Sequence, residues 1–183
     1  ALGGGVRFKS AVAELVWMAA SAGEIVIDCR GIAARNDVTG LRGVRGEMAV
    51  VTVQGMRLTR PVRLLHPRFP IYVVPWGEDT FMIGATSIES EHAGPVSLKS
   101  AIELLASAYA LHPAFADARI VELSAGIRPA FADNIPKILA KGRRLIVNGT
   151  YRHGFLLAPV LAQAVAVHLE TGAPLPAALT CAS

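Results

Sequence analysis

Apolar positions recur at every second residue through the middle of the chain and at helical spacing in two later stretches. Residues 48–53, 62–65, 71–75 and 80–84 are short, β-branched and bounded by Gly, Pro or Asp. Such segments predict antiparallel strands whose side chains alternate between two faces. Residues 98–111 carry apolar side chains at 98, 102, 105, 108 and 109, with Ser97 in the N-cap position and His112-Pro113 as a stop. A helix is expected there. Residues 118–127 and 144–147 predict two more strands. The helical period returns from Phe155 to Glu170 and closes at Gly172 and Pro174. Near the start, Gly3-Gly4-Gly5 followed by Val6-Arg7-Phe8 reads as a helix end and a short strand, and residues 24–31 as a buried strand feeding a loop. The turn-rich stretch 36–46, with Gly40, Gly43 and Gly46, is expected to separate this opening part from the rest. Runs of strands with two inserted helices predict an α+β fold, an antiparallel mixed sheet with flanking helices.

Composition raises one question. Hydrophobic residues make up 52% of the 183 and charged residues 17%, with a mean hydropathy of +0.44. A membrane span needs about 20 apolar residues. The longest apolar run, 155–169, falls short of that and is broken by Pro159, Gln163 and His168, so no membrane span is expected. The surplus is assigned to a buried helix and to a surface that packs on further chain or on another copy in a homo-oligomer. The opening residues show no charged leader and no signal-peptide pattern. Cys29 and Cys181 make no metal spacing or disulfide framework, and the five histidines stand at no ligand-like interval. A reduced, metal-free, cytoplasmic protein is expected. The net charge is +4, but the basic residues are scattered and the few aromatics (6%) do not interleave with them. Nucleic acid is not an expected partner.

Three segments carry candidate chemistry. Arg128 follows an apolar strand within Gly126-Ile127-Arg128-Pro129. It either presents its planar fork to a carboxylate, or caps the strand end or pairs with Asp133. Tyr72, in Ile71-Tyr72-Val73-Val74-Pro75, faces away from Ile71 and Val73. It is a half-buried strand residue or a second donor beside Arg128. Gly149-Thr150-Tyr151-Arg152-His153-Gly154-Phe155-Leu156 leads into the last helix. Glycine there allows close backbone approach to a flat ligand, and the helix start offers N–H groups and a positive dipole end. Arg152 is a second cation for a substrate or a tie within the turn. His66 and His153 have no carboxylate partner apparent in sequence and are weak general-base candidates. No Gly-x-Gly-x-x-Gly follows a strand, so nothing in these residues is expected to hold a pyrophosphate.

These segments together resemble the flavin-dependent D-amino-acid oxidase superfamily, and within it the glycine oxidases of thiamine biosynthesis. Arg45-Gly46-Glu47 is similar to the start of the family's substrate domain. Residues 71–75 with Ile83-Gly84-Ala85-Thr86 and Glu89 are similar to its central hairpin, and Gly126-Ile127-Arg128-Pro129 with Asp133 and Pro136 to its substrate-arginine segment. Tyr151-Arg152-His153-Gly154-Phe155-Leu156-Leu157-Ala158-Pro159 resembles its flavin-facing helix start. The resemblance covers about residues 24–170, the C-terminal portion of such an enzyme.

It implies FAD as cofactor in a longer parent, a small amino-acid substrate and molecular oxygen as partner. Arg128 would bind the substrate carboxylate, with Tyr72 donating to it and Arg152 nearby. Thr150, Tyr151, Arg152, His153, Gly154, Phe155 and Leu156 would line the isoalloxazine, and Val12 would touch adenine. The family's histidine two residues before the tyrosine is Pro70 here, which alters the polar lining at that point. Hydride would pass from the amine-bearing carbon to the flavin, dioxygen would give hydrogen peroxide, and the imine would feed thiazole synthesis. Another D-amino-acid or sarcosine-type oxidase, or a catalytically inactive binding or assembly domain, is the alternative. The implied domains are 1–46, part of a Rossmann-like flavin domain; 47–143, the substrate domain; and 144–183, a strand and helix returning to the flavin domain. These residues alone are expected to hold no flavin.

Overall fold

In the structure, a computed structural model that describes residues 24–180, ten regular elements follow one another. They are β1 (Val26–Asp28), β2 (Arg42–Thr52), β3 (Val62–Leu64), β4 (Ile71–Gly77), β5 (Thr80–Gly84), α1 (Leu98–Leu111), β6 (Arg119–Ala130), β7 (Lys137–Lys141), β8 (Arg144–Asn148) and α2 (Gly154–Thr171). The Gly3–Gly5 run, the expected strand after it, Val12 and Cys181 lie outside the described residues. The fold is α+β, with two sheets and two α-helices among the described residues.

The alternating segments pair antiparallel in the order β3-β4-β5-β2-β6. Register decides what each face carries. Tyr72 pairs with Gly84, Gly84 with Met48 and Met48 with Ser124, so these four cross the sheet in one row on one face. Ile71, Val73, Ile83, Ala49 and Val51 point the other way and pack with Leu104 and Ala108 of α1 and with Phe115. Phe81 meets Phe115 edge-on at 5.9 Å, a favoured aromatic geometry.

Helix α1 begins where its cap predicts: the Ser97 side chain accepts from the Ser100 N–H at 3.2 Å. Its inward face differs from the apolar stripe read in sequence. Ser100, Leu104 and Ala108 are buried, while Leu98, Ile102 and Tyr109 are exposed. The Ser97 N–H donates to buried Glu47 Oε1 at 3.2 Å, which fastens the start of the helix to β2. Ser97→Ala is expected to cost about 1 kcal/mol of stability, read as a lower denaturant midpoint with an unchanged slope.

Two regions depart from expectation. Arg42 to Gly46 is not part of a separating loop but the first half of β2, which runs unbroken through Gly46–Glu47. Its glycines belong to the strand because other side chains lie over the backbone. A Cβ at Gly43 would meet Ile127 and Glu91, and one at Gly46 would land on the Arg128 guanidinium. The second departure is β7, which forms a hairpin with β8 around Gly142 (φ +59°). With β1 parallel to β8, the order of this smaller sheet is β1-β8-β7.

Buried Asp28 ties the small sheet to the following loop, accepting from Arg30 Nε at 3.0 Å and pairing with Arg144; both arginines also reach Asp37. Burial alone would push the Asp28 carboxyl up, but the bonds from Arg30 and Arg144 outweigh it and hold the group below its usual range. Leu161 and Val165 of α2 pack on Ile138 and Leu145, and most of the remaining helix surface is open. At 18 residues, α2 is long and apolar enough to cross a membrane by length and composition alone, which exceeds the shorter run read in sequence.

Candidate active site

Two strand glycines create the site. Arg128 stands on β6 opposite Val44, and its side chain runs back across Gly46. The Tyr72 ring lies over Gly84, where a Cβ would come within 2.7 Å of the phenol oxygen. With no side chain at either position, residues from β6 and β4 converge above the middle of the sheet. The Tyr72 hydroxyl meets the Arg128 guanidinium there.

A backbone carbonyl completes the mounting. Arg128 Nη1 donates to the Thr86 carbonyl at 3.0 Å. Thr86 is itself held on both sides by Glu47: its N–H donates to the Glu47 carbonyl at 3.1 Å, and its Oγ1 accepts from the Glu47 N–H at 2.9 Å. Beneath, on the opposite face of β2, Arg45 and the Glu47 carboxylate form a buried ion pair, 4% and 1% exposed. Arg45 also donates to the carbonyls of His92 and Pro95, so one pair secures the whole segment after β5.

The guanidinium of Arg128 is half-buried and has no carboxylate partner among the described residues. Asp133, the partner considered from sequence, instead binds Lys137 Nζ at 2.8 Å and the Ile135 N–H. Burial lowers the Arg128 pKa from its ordinary value, the Tyr72 phenol pulls it back, and the Arg152 charge lowers it again. A cation mounted on neutral acceptors and crowded by a second cation is suited to receive an anion.

The third segment borders this place. Gly149 (φ +79°) and Tyr151 (φ +51°) both take left-handed conformations. At Gly149 the ring of Phe131 occupies the space a Cβ would need. The Tyr151 N–H donates to the Pro129 carbonyl at 3.0 Å, which brings the turn against the residue after Arg128. No side chain caps α2 at His153, and Phe155 is fully exposed with Leu156 largely so. The N-terminus of α2 therefore presents open N–H groups flanked by apolar side chains.

The structure thus brings together Arg128, Tyr72, Tyr151 and Arg152, with Thr150, His153, Gly154, Phe155 and Leu156 continuing the same turn. Of the two histidine candidates it leaves out His66, and His153 gains no acidic partner among the described residues. His66 Nδ1 accepts from the N–H groups of Arg68 and Phe69 within its own loop, and His153 is an exposed helix-start residue. Two contributors escaped sequence reasoning, the Thr86 carbonyl and the Ser87 hydroxyl, because neither a backbone acceptor nor a lone serine carries a pattern. Two surface clefts, of about 160 and 340 Å³, lie elsewhere: one beside Arg143 and His168, the other beside Met56 and His112. Among the described residues no cluster of His, Cys, Asp or Glu could hold a metal.

The pattern of the FAD dependent oxidoreductase family matches residues 1–167. The chain belongs to this family. Over 146 residues it is 56% identical to a protein of Rhizobium etli named as the thiamine biosynthesis oxidoreductase ThiO, covering 80% of this chain and 45% of that one. It is 35% identical over 127 residues to the bifunctional protein ThiO/ThiG of Trichormus variabilis, covering 67% and 19%. The crystal structure of glycine oxidase from Geobacillus kaustophilus superposes with a TM-score of 0.64 at 28% identity, covering 75% of this chain and 38% of that one. The chain therefore spans less than half the length of these relatives. Its residues fit the ring end of FAD through the N-terminus of α2, which no side chain caps, while Gly149 and Gly154 make room for Phe131 and Thr150 of the chain itself. Nothing among the described residues forms a glycine-rich strand-turn-helix for the pyrophosphate.

Proposed function

We propose that this chain forms the substrate face and the flavin-facing wall of a FAD-dependent amino-acid oxidase, a glycine oxidase serving thiamine thiazole synthesis. One observation carries the proposal: a half-buried arginine with no acidic partner among the described residues, mounted on a carbonyl and a tyrosine beside an uncapped helix start. The names of the relatives, a thiamine biosynthesis oxidoreductase and a glycine oxidase, agree with it.

In this proposal Arg128 makes two parallel bonds to the carboxylate of a small amino acid, and Tyr72 donates to the same group. Arg152 adds positive charge nearby. Main chain from Thr150 to Leu156 faces the isoalloxazine, and Val12 contacts the adenine end. Bound FAD would supply the oxidising chemistry, accepting a hydride, which carries both electrons, from the amine-bearing carbon, and the two electrons would pass with two protons to dioxygen to give hydrogen peroxide. The protein contributes orientation: a carboxylate fixed at Arg128 leaves the α-carbon facing the ring. No side-chain acid or base is needed, and His66 is bonded within its own loop.

Residues 1–46 and 144–183 are assigned to the flavin domain and 47–143 to the substrate domain. The open apolar face of α2 is taken to pack on the rest of the flavin domain and not in a membrane, and the protein to act in the cytoplasm, as a homo-oligomer if its remaining apolar surface pairs. The test is peroxide release by the complete flavoprotein with glycine, sarcosine and D-alanine in turn. Glycine is expected to give the highest kcat/KM. Peroxide from D-alanine or sarcosine but not from glycine would move the protein to another branch of the family, and none from any of them would favour a binding domain.

A further inference from the structure

Three hydrogen bonds close a ring around the guanidinium of Arg128. Arg128 Nη1 donates to the Thr86 carbonyl at 3.0 Å. The next residue, Ser87, meets the Tyr151 hydroxyl at 2.9 Å through its own hydroxyl. The Tyr151 N–H then donates to the carbonyl of Pro129, the residue after Arg128, at 3.0 Å. Three segments distant in sequence are thereby locked around one cation.

Tyr151 is the unusual member. A non-glycine residue at φ +51° is held there only when its surroundings over-determine it. Here both ends of the residue are held, the main chain by Pro129 and the phenol by Ser87. The conformation directs a phenol from the flavin-facing turn toward the substrate sheet, near enough to Arg128 to act on its charge. A main-chain role at the flavin does not require that.

We propose that the Tyr151 hydroxyl is a further donor to the substrate carboxylate, oriented by Ser87. A phenol carries one hydrogen and accepts through its oxygen. If Ser87 donates to that oxygen, the phenol hydrogen is directed into the space beside Arg128, where a carboxylate on the guanidinium would present its free lone pairs. Ser87 is then a positioning residue acting through Tyr151. The proposal rests on Arg128 being the carboxylate anchor.

The experiment measures the affinity of the complete flavoprotein for glycolate, a carboxylate of glycine's size without the amine, by calorimetric titration. Melting temperature is recorded for each variant. Tyr151→Phe is expected to weaken glycolate binding roughly tenfold, as loss of one hydrogen bond to a charged group does. Ser87→Ala is expected to weaken it less, Ser87→Thr to restore it, and the Ser87→Ala/Tyr151→Phe double variant to bind no worse than Tyr151→Phe alone. Unchanged affinity in Tyr151→Phe, or losses that multiply in the double variant, would overturn the proposal. A drop in melting temperature with affinity intact would mark the ring as structural only, and overturns it too. Arg128→Ala separates the two levels. If it abolishes glycolate binding while Tyr151→Phe does not weaken it, the donor role alone is wrong. If Arg128→Ala binds normally, the carboxylate site is misplaced.

Discussion

Arg128→Ala in the complete flavoprotein is expected to raise the apparent KM for glycine roughly 30- to 300-fold. Truncating one partner of a hydrogen-bonded charge pair costs roughly 2–5 kcal/mol, much of it from the partner left unpaired. The lower part of that range applies because the guanidinium is half exposed to water. Arg128→Lys is expected to recover only part of the loss, since an ammonium keeps the charge but not the parallel pair of bonds. The variants should fold normally: the Thr86 carbonyl loses one donor, yet Thr86 stays fastened to Glu47 by two other bonds. Initial rates against glycine concentration check this. An unchanged KM in Arg128→Ala would remove the residue from the site.

The largest stability effect is expected from Glu47→Ala, about 3–5 kcal/mol, because it leaves Arg45 as a buried charge without its carboxylate. Burial by itself would raise the Glu47 pKa. The hydrogen bonds from Ser100 and Arg45 and from the Ser97 N–H more than offset that, so the folded-state value lies below the ordinary 4.5. The sign follows directly. A carboxyl with a depressed folded pKa contributes stability that is fully present above its unfolded value and is lost as pH falls through the folded one. Urea unfolding from pH 7 down to pH 3 should therefore show the native chain losing stability below about pH 4.5 more steeply than Glu47→Gln does. Parallel curves for the two would exclude Glu47 as a source of the acid sensitivity. Thr86 keeps its two bonds in Glu47→Ala, since both run to the Glu47 backbone.

Much of the fold was legible because single residues marked its ends. β5 and α1 occupy the segments predicted for them, 80–84 and 98–111, since Ser97 and His112-Pro113 punctuate the helix and alternation defines the strand. β7 was missed: Lys137 and Lys141 at its ends leave only Ile138, Leu139 and Ala140 as an apolar signal, too short to read as a strand. The start of β2 was taken for a loop because glycine usually signals a turn, whereas Gly43 and Gly46 exist to admit side chains from elsewhere. Sequence cannot show which distant side chain needs that space.

The site divides along the same line. Arg128, Tyr72 and the Tyr151–Leu156 turn could be picked out because each stands in a recognisable segment. Their convergence depends on register across four strands, β4, β5, β2 and β6, which no local pattern encodes. The alternative partner Asp133 looked plausible only because it is near in sequence. It is bound to Lys137, four residues on.

Strand β2 gives both faces of the sheet one backbone, with Gly46 above and Arg45 and Glu47 below. Alternation makes that separation a safeguard. A slip of one residue along β2 would exchange its faces and lift the Glu47 carboxylate into the place beneath Arg128. The chain would then set an acid of its own against Arg128, in the space that the proposed function gives to a substrate carboxylate. The ion pair with Arg45 keeps that carboxylate on the far side of the sheet, away from the Arg128 guanidinium.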